Sequence, residues 1–523
     1  MPHCRTLTAG IPGFAHSMPA TLRQRCNHVP PTQARGARAA PRTPTMVLWS
    51  FAACACAALN CVAAPAPERS LTRLDEEFGE RVAGIATRAE AAGVKDIAAV
   101  VRGWSLPALD DRQVVLAILP QTERPAGIEG DTAEKLWEEF LAARRERAAG
   151  TFALARAETR SCASVELLYR ALRDDPDHAR ARAAAGYVRR GDRWVVPEAA
   201  ERLDRGEAWD PAFGWQPRGR LARFQAGERP DRGRWVPADE DDARRRTVAD
   251  GRRFSSDHWE ILSAAPYADA AALAAGLEET AAIWRQVFGA VSLRPTEWRH
   301  VTVGGSVPRA AEPFAAVLCV DREQYVTELT RVEPAIARTT AIYWRPTQTA
   351  WFCAATGAAR AASAGVPPTT VRHEAAHQLC AESTATSPLA GERCNFWAIE
   401  AAACYLESAR ATGFGWTVGG PDAGRMPAAR RLLVEEEFHV PIAELCGLGR
   451  AAFQADERLP RMYDEIAGIA DFLMNGRGGR YREAFVEHLA RVYAGTADPD
   501  TLARLCGTTS ADLDAEYRRH LSR

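Results

Sequence analysis

Apolar positions in this chain recur with two different spacings, which set a helical front region apart from a mixed back region. From 68 to 160 the spacing is helical, rich in Ala, Glu and Arg, with breaks near Pro107 and Pro120. The run from Val165 to His178, continued by Ala181 to Tyr187, has the pattern of a helix–turn–helix pair; one such unit is too little for a repeat array. Two short echoes follow, Gly191-Asp192-Arg193-Trp194-Val195 and Gly233-Arg234-Trp235-Val236, with an aromatic Phe213-Gly214-Trp215 between them. Each echo is expected to be an aromatic-anchored turn that leads into a charged helix and serves packing or spacing, with a recognition surface as the alternative.

Past residue 255 the period changes. His258 to Leu262 and Ala315 to Val320 read as strands, with an amphipathic helix from Ala268 to Phe288 between them. Ala341 to Trp344 and Thr349 to Cys353 look like a hairpin around Pro346. Pro367-Pro368-Thr369-Thr370 then opens a helix, with proline and threonine where a first turn favours them. An alanine-rich second helix covers Asn395 to Glu407, and the rest is mainly helical, closing with Tyr481 to Tyr493 and Leu513 to Leu521. The expected class is therefore α+β. A helical region at 67–160 and a segment at 161–255, holding the helix pair and the two turns, precede a domain at 256–523 built from a small mixed sheet and a helical half.

Charge is uneven along the chain. No acidic residue precedes Glu68, while six arginines do (5, 23, 25, 35, 38 and 42); removing them from the 66 basic residues leaves the rest at about −7 against 67 acidic ones. A modestly acidic body gives no reason to expect nucleic-acid binding. Residues 1–45 are rich in Pro, Arg and Ala without periodicity, and read as an over-extended start ahead of Met46 or as a disordered basic leader. From 46 to 66 an apolar run ends in small residues, the form of a secretory signal peptide; an uncleaved anchor and a buried core helix are the alternatives. The expectation is an exported chain, periplasmic or extracellular, touching the membrane only through that segment. Disulfides are permitted there, and Cys380 with Cys394 can staple the loop between the two helices, a pairing that spacing alone does not establish.

The chemistry concentrates in Val371-Arg372-His373-Glu374-Ala375-Ala376-His377. In a helix His373 and His377 are one turn apart on one face, so both imidazoles can reach one metal ion, with Glu374 beside them to take a proton from water. A chance match is expected about once per hundred chains of this composition, so the motif alone does not decide. A catalytic zinc needs a third protein ligand. Glu400 is the best candidate, a bare carboxylate on the apolar helix that follows, where a buried charge needs a partner. Glu407 lies near the more polar end of that helix, where a solvated face is the plain explanation. His439, beside Pro441, reads as structural.

His373-Glu374-x-x-His377 followed by Trp397-x-x-Glu400-x-x-Ala403-x-Tyr405-x-Glu407 resembles the gluzincin metallopeptidases, in which an H-E-x-x-H helix is completed by a Glu on the next helix. The resemblance, with the Gly-x-Trp-Val turns upstream, extends to exported proteins of planctomycete-type bacteria that carry a peptidase-MA-like domain of unknown function. It implies a zincin-like fold, a Zn²⁺ cofactor held by His373, His377 and Glu400, catalysis by Glu374, and a peptide or protein substrate. It also implies that the strand before the metal helix offers its edge to an extended peptide, and that Tyr463 stands where relatives carry an oxyanion-stabilising hydroxyl. Two positions depart from the pattern. Ala401 replaces the usual Gly, and Cys404 stands where some relatives place an acidic residue, leaving the orientation of the histidines unexplained. The rival expectation is a non-catalytic zinc-binding or scaffold protein with a degenerate domain.

Overall fold

The structure, a computed structural model, describes residues 67–117, 125, 128, 130–293, 295–305, 312–355 and 365–522. The leader at 1–45 and the apolar run up to 66 lie outside the described residues. Among the described residues no helix is long and apolar enough to cross a membrane.

Helices α1 (Pro67–Ala91), α2 (Lys95–Arg102) and α3 (Asp131–Ala157) enclose a core of their own around Phe78, Val82, Ile97, Trp137 and Phe140. The break between α2 and α3 holds an unexpected strand, β1 (Gln113–Val115). Its partner lies far along the chain, so the front region is stitched into the back one. After α3 come α4 (Ser161–Asp174) and the short α5 (Ala179–Ala184), the expected helix pair.

The two expected aromatic turns are the first and third of three tandem hairpin–helix units. The hairpins are β2 (Val188–Arg190) with β3 (Arg193–Val195), β4 (Glu207–Asp210) with β5 (Gly214–Pro217), and β6 (Glu228–Asp231) with β7 (Arg234–Pro237). They lead into α6 (Pro197–Asp204), α7 (Leu221–Gln225) and α8 (Ala238–Arg244). Gly186, Gly206 and Gly227 each open a unit at φ of 88°, 79° and 84°, a conformation that side chains with a Cβ disfavour. Indole groups pin the units to their surroundings: Trp194 donates to Asp177 at 3.1 Å and Trp215 to Asp257 at 2.8 Å.

A five-stranded mixed sheet comes next, with β8 (Arg252–Ser255), β9 (Trp259–Ser263), β10 (Phe314–Cys319), β11 (Ala341–Trp344) and β12 (Thr349–Cys353) in the order β11-β12-β10-β9-β8. β9, β10 and β12 run parallel, and both edge strands are antiparallel to their neighbours. The sheet thus begins at Arg252, ahead of the expected Ser256. Every residue of β10 is buried, because the sheet is covered on both faces. Ile261, Ala316, Leu318, Ala350 and Phe352 join the main core with α9 (Tyr267–Val287), while Leu262, Val317, Cys319 and Trp351 pack with α10 (Arg322–Leu329). That alternation is the period of two read from the sequence.

The helical half carries α11 (Pro368–Glu382), α12 (Phe396–Glu407), β13 (Arg410–Thr412), β14 (Gly415–Val418), α13 (Met426–Val434), α14 (Leu459–Gly479), α15 (Arg482–Ala494) and α16 (Ser510–Leu521). β14 takes β1 on one side and β13 on the other, making a three-stranded antiparallel sheet. The fold is mixed α+β, with small sheets and a helical amino-terminal region.

The Cys380–Cys394 staple does not form. All eight described cysteines are free thiols; Cys380 is turned into the core, where its sulfur accepts the Trp284 indole N–H at 3.1 Å, and Cys394 donates to the Ala497 carbonyl.

Two histidines of the helical half shape stability against pH. His439 is held between Glu465 Oε1 at 2.6 Å and Asp514 Oδ1 at 3.0 Å, so both ring nitrogens are engaged and its role is structural. Burial pulls its pKa down, but these carboxylates outweigh burial and raise it to about 9. A raised pKa adds stability that is complete below the unfolded value of 6.5 and lost as pH rises through about 9, up to about 3 kcal/mol. His488 is the opposite case: fully buried, stacked on Trp397, with neither ring nitrogen hydrogen-bonded among the described residues, and driven down to about 4 by burial. Its contribution is intact above 6.5 and falls by up to about 3 kcal/mol as pH drops toward 4. In urea titrations at several pH values, His439→Gln is expected to flatten the alkaline limb of the stability profile and His488→Phe the acid limb. Variants that shift the whole curve without changing its shape would contradict both assignments.

Candidate metal centre

Two alanine-rich helices make the centre possible. Ala375 and Ala376 on α11 and Ala401, Ala402 and Ala403 on α12 are all buried, and side chains this small let the helix axes approach closely. The Ala401 departure therefore costs nothing in packing. Pro368 at the first helical position starts α11, as expected.

The helices bring His373, His377 and Glu400 together. The Nε2 atoms of the two histidines lie 3.1 Å apart, and Glu400 Oε2 lies 3.5 Å from the first and 3.6 Å from the second. Three acceptor atoms thus form a nearly equilateral triangle, an arrangement that repels itself unless protons or a cation stand between them. The Glu400 side chain is only 8 % exposed, and burial alone would raise its pKa. The histidine charges and hydrogen bonds win, holding it well below the ordinary carboxylate range. An ionised carboxylate facing two imidazole nitrogens is a metal-binding donor set.

The orientation of His373 has a source that the sequence reading missed. Its Nδ1 meets Glu407 Oε1 at 2.8 Å, so Nδ1 donates to that carboxylate and Nε2 is turned toward the triangle. Glu407 is not on a solvated face: its side chain is 10 % exposed, and Arg425 grips it through Nε at 2.9 Å and a second nitrogen at 3.3 Å. Arg425 reaches on to Asp464 at 3.2 Å. Burial would raise the Glu407 pKa, but the bond to His373 and the arginine charge keep it low. A signal was present in the sequence: Glu407 is seven residues after Glu400, two helical turns along the same face.

Cys404 also approaches His373, so His373, Cys404 and Glu407 form a second group with metal-ligand atoms close together. That group is already satisfied. Glu407 is bound by the imidazole and the guanidinium, and burial raises the Cys404 pKa, which keeps the thiol protonated.

Glu374 stands beside the triangle and accepts the Tyr343 backbone N–H at 2.7 Å. Tyr343 belongs to β11, which ends the sheet among the described residues, and its N–H points away from β12 toward Glu374. Tyr463, on α14, donates its hydroxyl to Glu400 Oε2 at 3.1 Å, with its ring packed edge-on to Phe453. In this state the hydroxyl steadies the carboxylate.

The chain matches no family model and no curated protein.

Proposed function

We propose that the protein is an exported zinc-dependent hydrolase of gluzincin type with a zincin-like domain, most readily a peptidase, in which His373, His377 and Glu400 hold the metal. The observation that carries this reading is the donor triangle. Ligands at about 2.0–2.1 Å from a tetrahedral zinc stand about 3.3 Å apart, against edges of 3.1, 3.5 and 3.6 Å here. Two imidazoles and one carboxylate also leave one tetrahedral position open, the pattern of catalytic sites.

When bound, zinc supplies a Lewis acid that polarises a carbonyl and acidifies water. The chain's own groups do the rest. Glu374 takes the proton from the attacking water and passes it to the leaving amine. Its hydrogen bond to Tyr343 gives way to substrate, since the edge of β11 can pair with an extended peptide and lay the scissile bond along the site. Glu407, fixed by Arg425, holds the His373 ring in the ligating tautomer. Tyr463 is near enough to shift its hydroxyl from Glu400 to the oxyanion of a tetrahedral intermediate.

Metal analysis of the purified chain tests the reading. One equivalent of zinc is expected in the wild type and none in His377→Ala. Zinc at one equivalent in both would contradict it.

A further inference from the structure

A cavity of about 660 Å³ lies away from the metal triangle, between the first hairpin–helix unit, the α4–α5 pair, α9 and the carboxyl-terminal turn of the metal helix α11. Its volume falls within the range of about 300–1,000 Å³ typical of small-molecule sites. One wall is apolar, with Leu168, Trp284, Leu293, Trp298, Phe314 and Leu379. The other wall is charged, and its charges are unequal in how well they are served.

Arg202 and Arg205 are spoken for, the first by Glu207 at 3.1 Å and Glu260 at 2.6 Å, the second by Glu207 at 2.9 Å. Arg285 is different. Its guanidinium donates to His258 Nε2 at 3.3 Å and to the Tyr169 hydroxyl, and among the described residues it forms no ion pair. The nearby Glu278 is used up elsewhere, accepting from the His258 ring at 2.6 Å and from the His258 backbone and Ser256 Oγ at 2.7 Å each. Glu198, on α6, lines the same cavity, and its carboxylate makes neither an ion pair nor a hydrogen bond among the described residues. A mostly buried cation and a partly buried anion therefore face one space and attract each other across it without closing into an ion pair, and each loses hydration there.

We infer that this cavity is a second ligand site, separate from the metal centre, for a zwitterionic small molecule of amino-acid or dipeptide size with an apolar side chain. The ligand carboxylate pairs with Arg285 as a forked, charge-assisted contact. Its ammonium pairs with Glu198, and its side chain lies against Trp284, Leu293 and Trp298. Because Leu379 and Ser383 line the cavity from the end of α11, occupancy touches the helix that carries His373 and His377.

Calorimetric titration of the full chain with L-leucine, L-phenylalanine and L-leucyl-L-phenylalanine tests the site, with N-acetyl-L-leucine and L-leucinamide as probes lacking one charge each. Saturable binding of at least one zwitterion is expected, unchanged by a metal chelator and weakened about tenfold or more when either charge is blocked. Glu198→Gln and Arg285→Met should each weaken it by a similar factor; the first is isosteric and keeps the test valid if the second unfolds. Binding of no zwitterion, equal binding of the blocked probes, or binding indifferent to Glu198→Gln would overturn the inference, as would binding abolished by the chelator.

Discussion

Replacing Glu374 by Gln is expected to lower kcat/KM on a peptide library by about 10²–10⁴-fold while zinc content stays at one equivalent. The amide keeps the volume of the carboxylate and can still lie beside the Tyr343 backbone, so α11 and its two histidines have no reason to move. What it cannot do is accept a proton from water. The variant therefore separates binding the metal from using it. Zinc retained with no cleavage in the wild type would mean that the site holds a metal without turnover, the rival reading; equal cleavage by wild type and variant would place the base elsewhere. Activity measured by proteomic cleavage profiling is the suitable readout, because it presents many peptide sequences at once and needs no prior choice of side chain.

Glu407→Gln is expected to weaken zinc binding by about 10–100-fold without touching a ligand. A neutral amide bonds the His373 Nδ1–H less strongly than a carboxylate, lowers the basicity of Nε2, and leaves the Arg425 guanidinium without its main partner. Arg425→Met should move affinity in the same direction by a smaller factor, since Glu407 keeps its charge and its bond to His373. Competition with a chromophoric chelator measures both. A Glu407→Gln chain with wild-type affinity would show that the ring is held by α11 alone.

The sequence exposed the centre because its signals are local. His373 and His377 are one turn apart, and Glu400 is a carboxylate on a helix otherwise made of Phe, Trp, Ala, Ile, Cys, Tyr and Leu up to Glu407 at its end. β9 to β12 were legible for the same reason, as apolar runs bounded by breakers. Glu407 was misread although it shares the face of Glu400, because polarity near a helix end has a commoner explanation in water. Arg425 sits between β14 and α13, where nothing local ties it to a carboxylate on another helix. β1 escaped notice because three residues carry no period, and its pairing with Gln113 opposite Val418 spans most of the chain. The middle hairpin unit hid behind a different sequence in the same geometry: Gly214-Trp215-Gln216-Pro217 occupies the place that Arg234-Trp235-Val236-Pro237 holds in the third. Cys380 and Cys394 looked pairable by spacing, and only the packing of Cys380 against Trp284 rules the bridge out.

X-ray absorption at the zinc edge of the loaded protein tests the central claim most directly, because it distinguishes the two donor groups that share His373. The expected shell is nitrogen and oxygen alone at about 2.0–2.1 Å, two imidazoles among them, unchanged in Cys404→Ser. A sulfur scatterer at about 2.3 Å that disappears in Cys404→Ser would place the metal with Cys404 and Glu407 and contradict it.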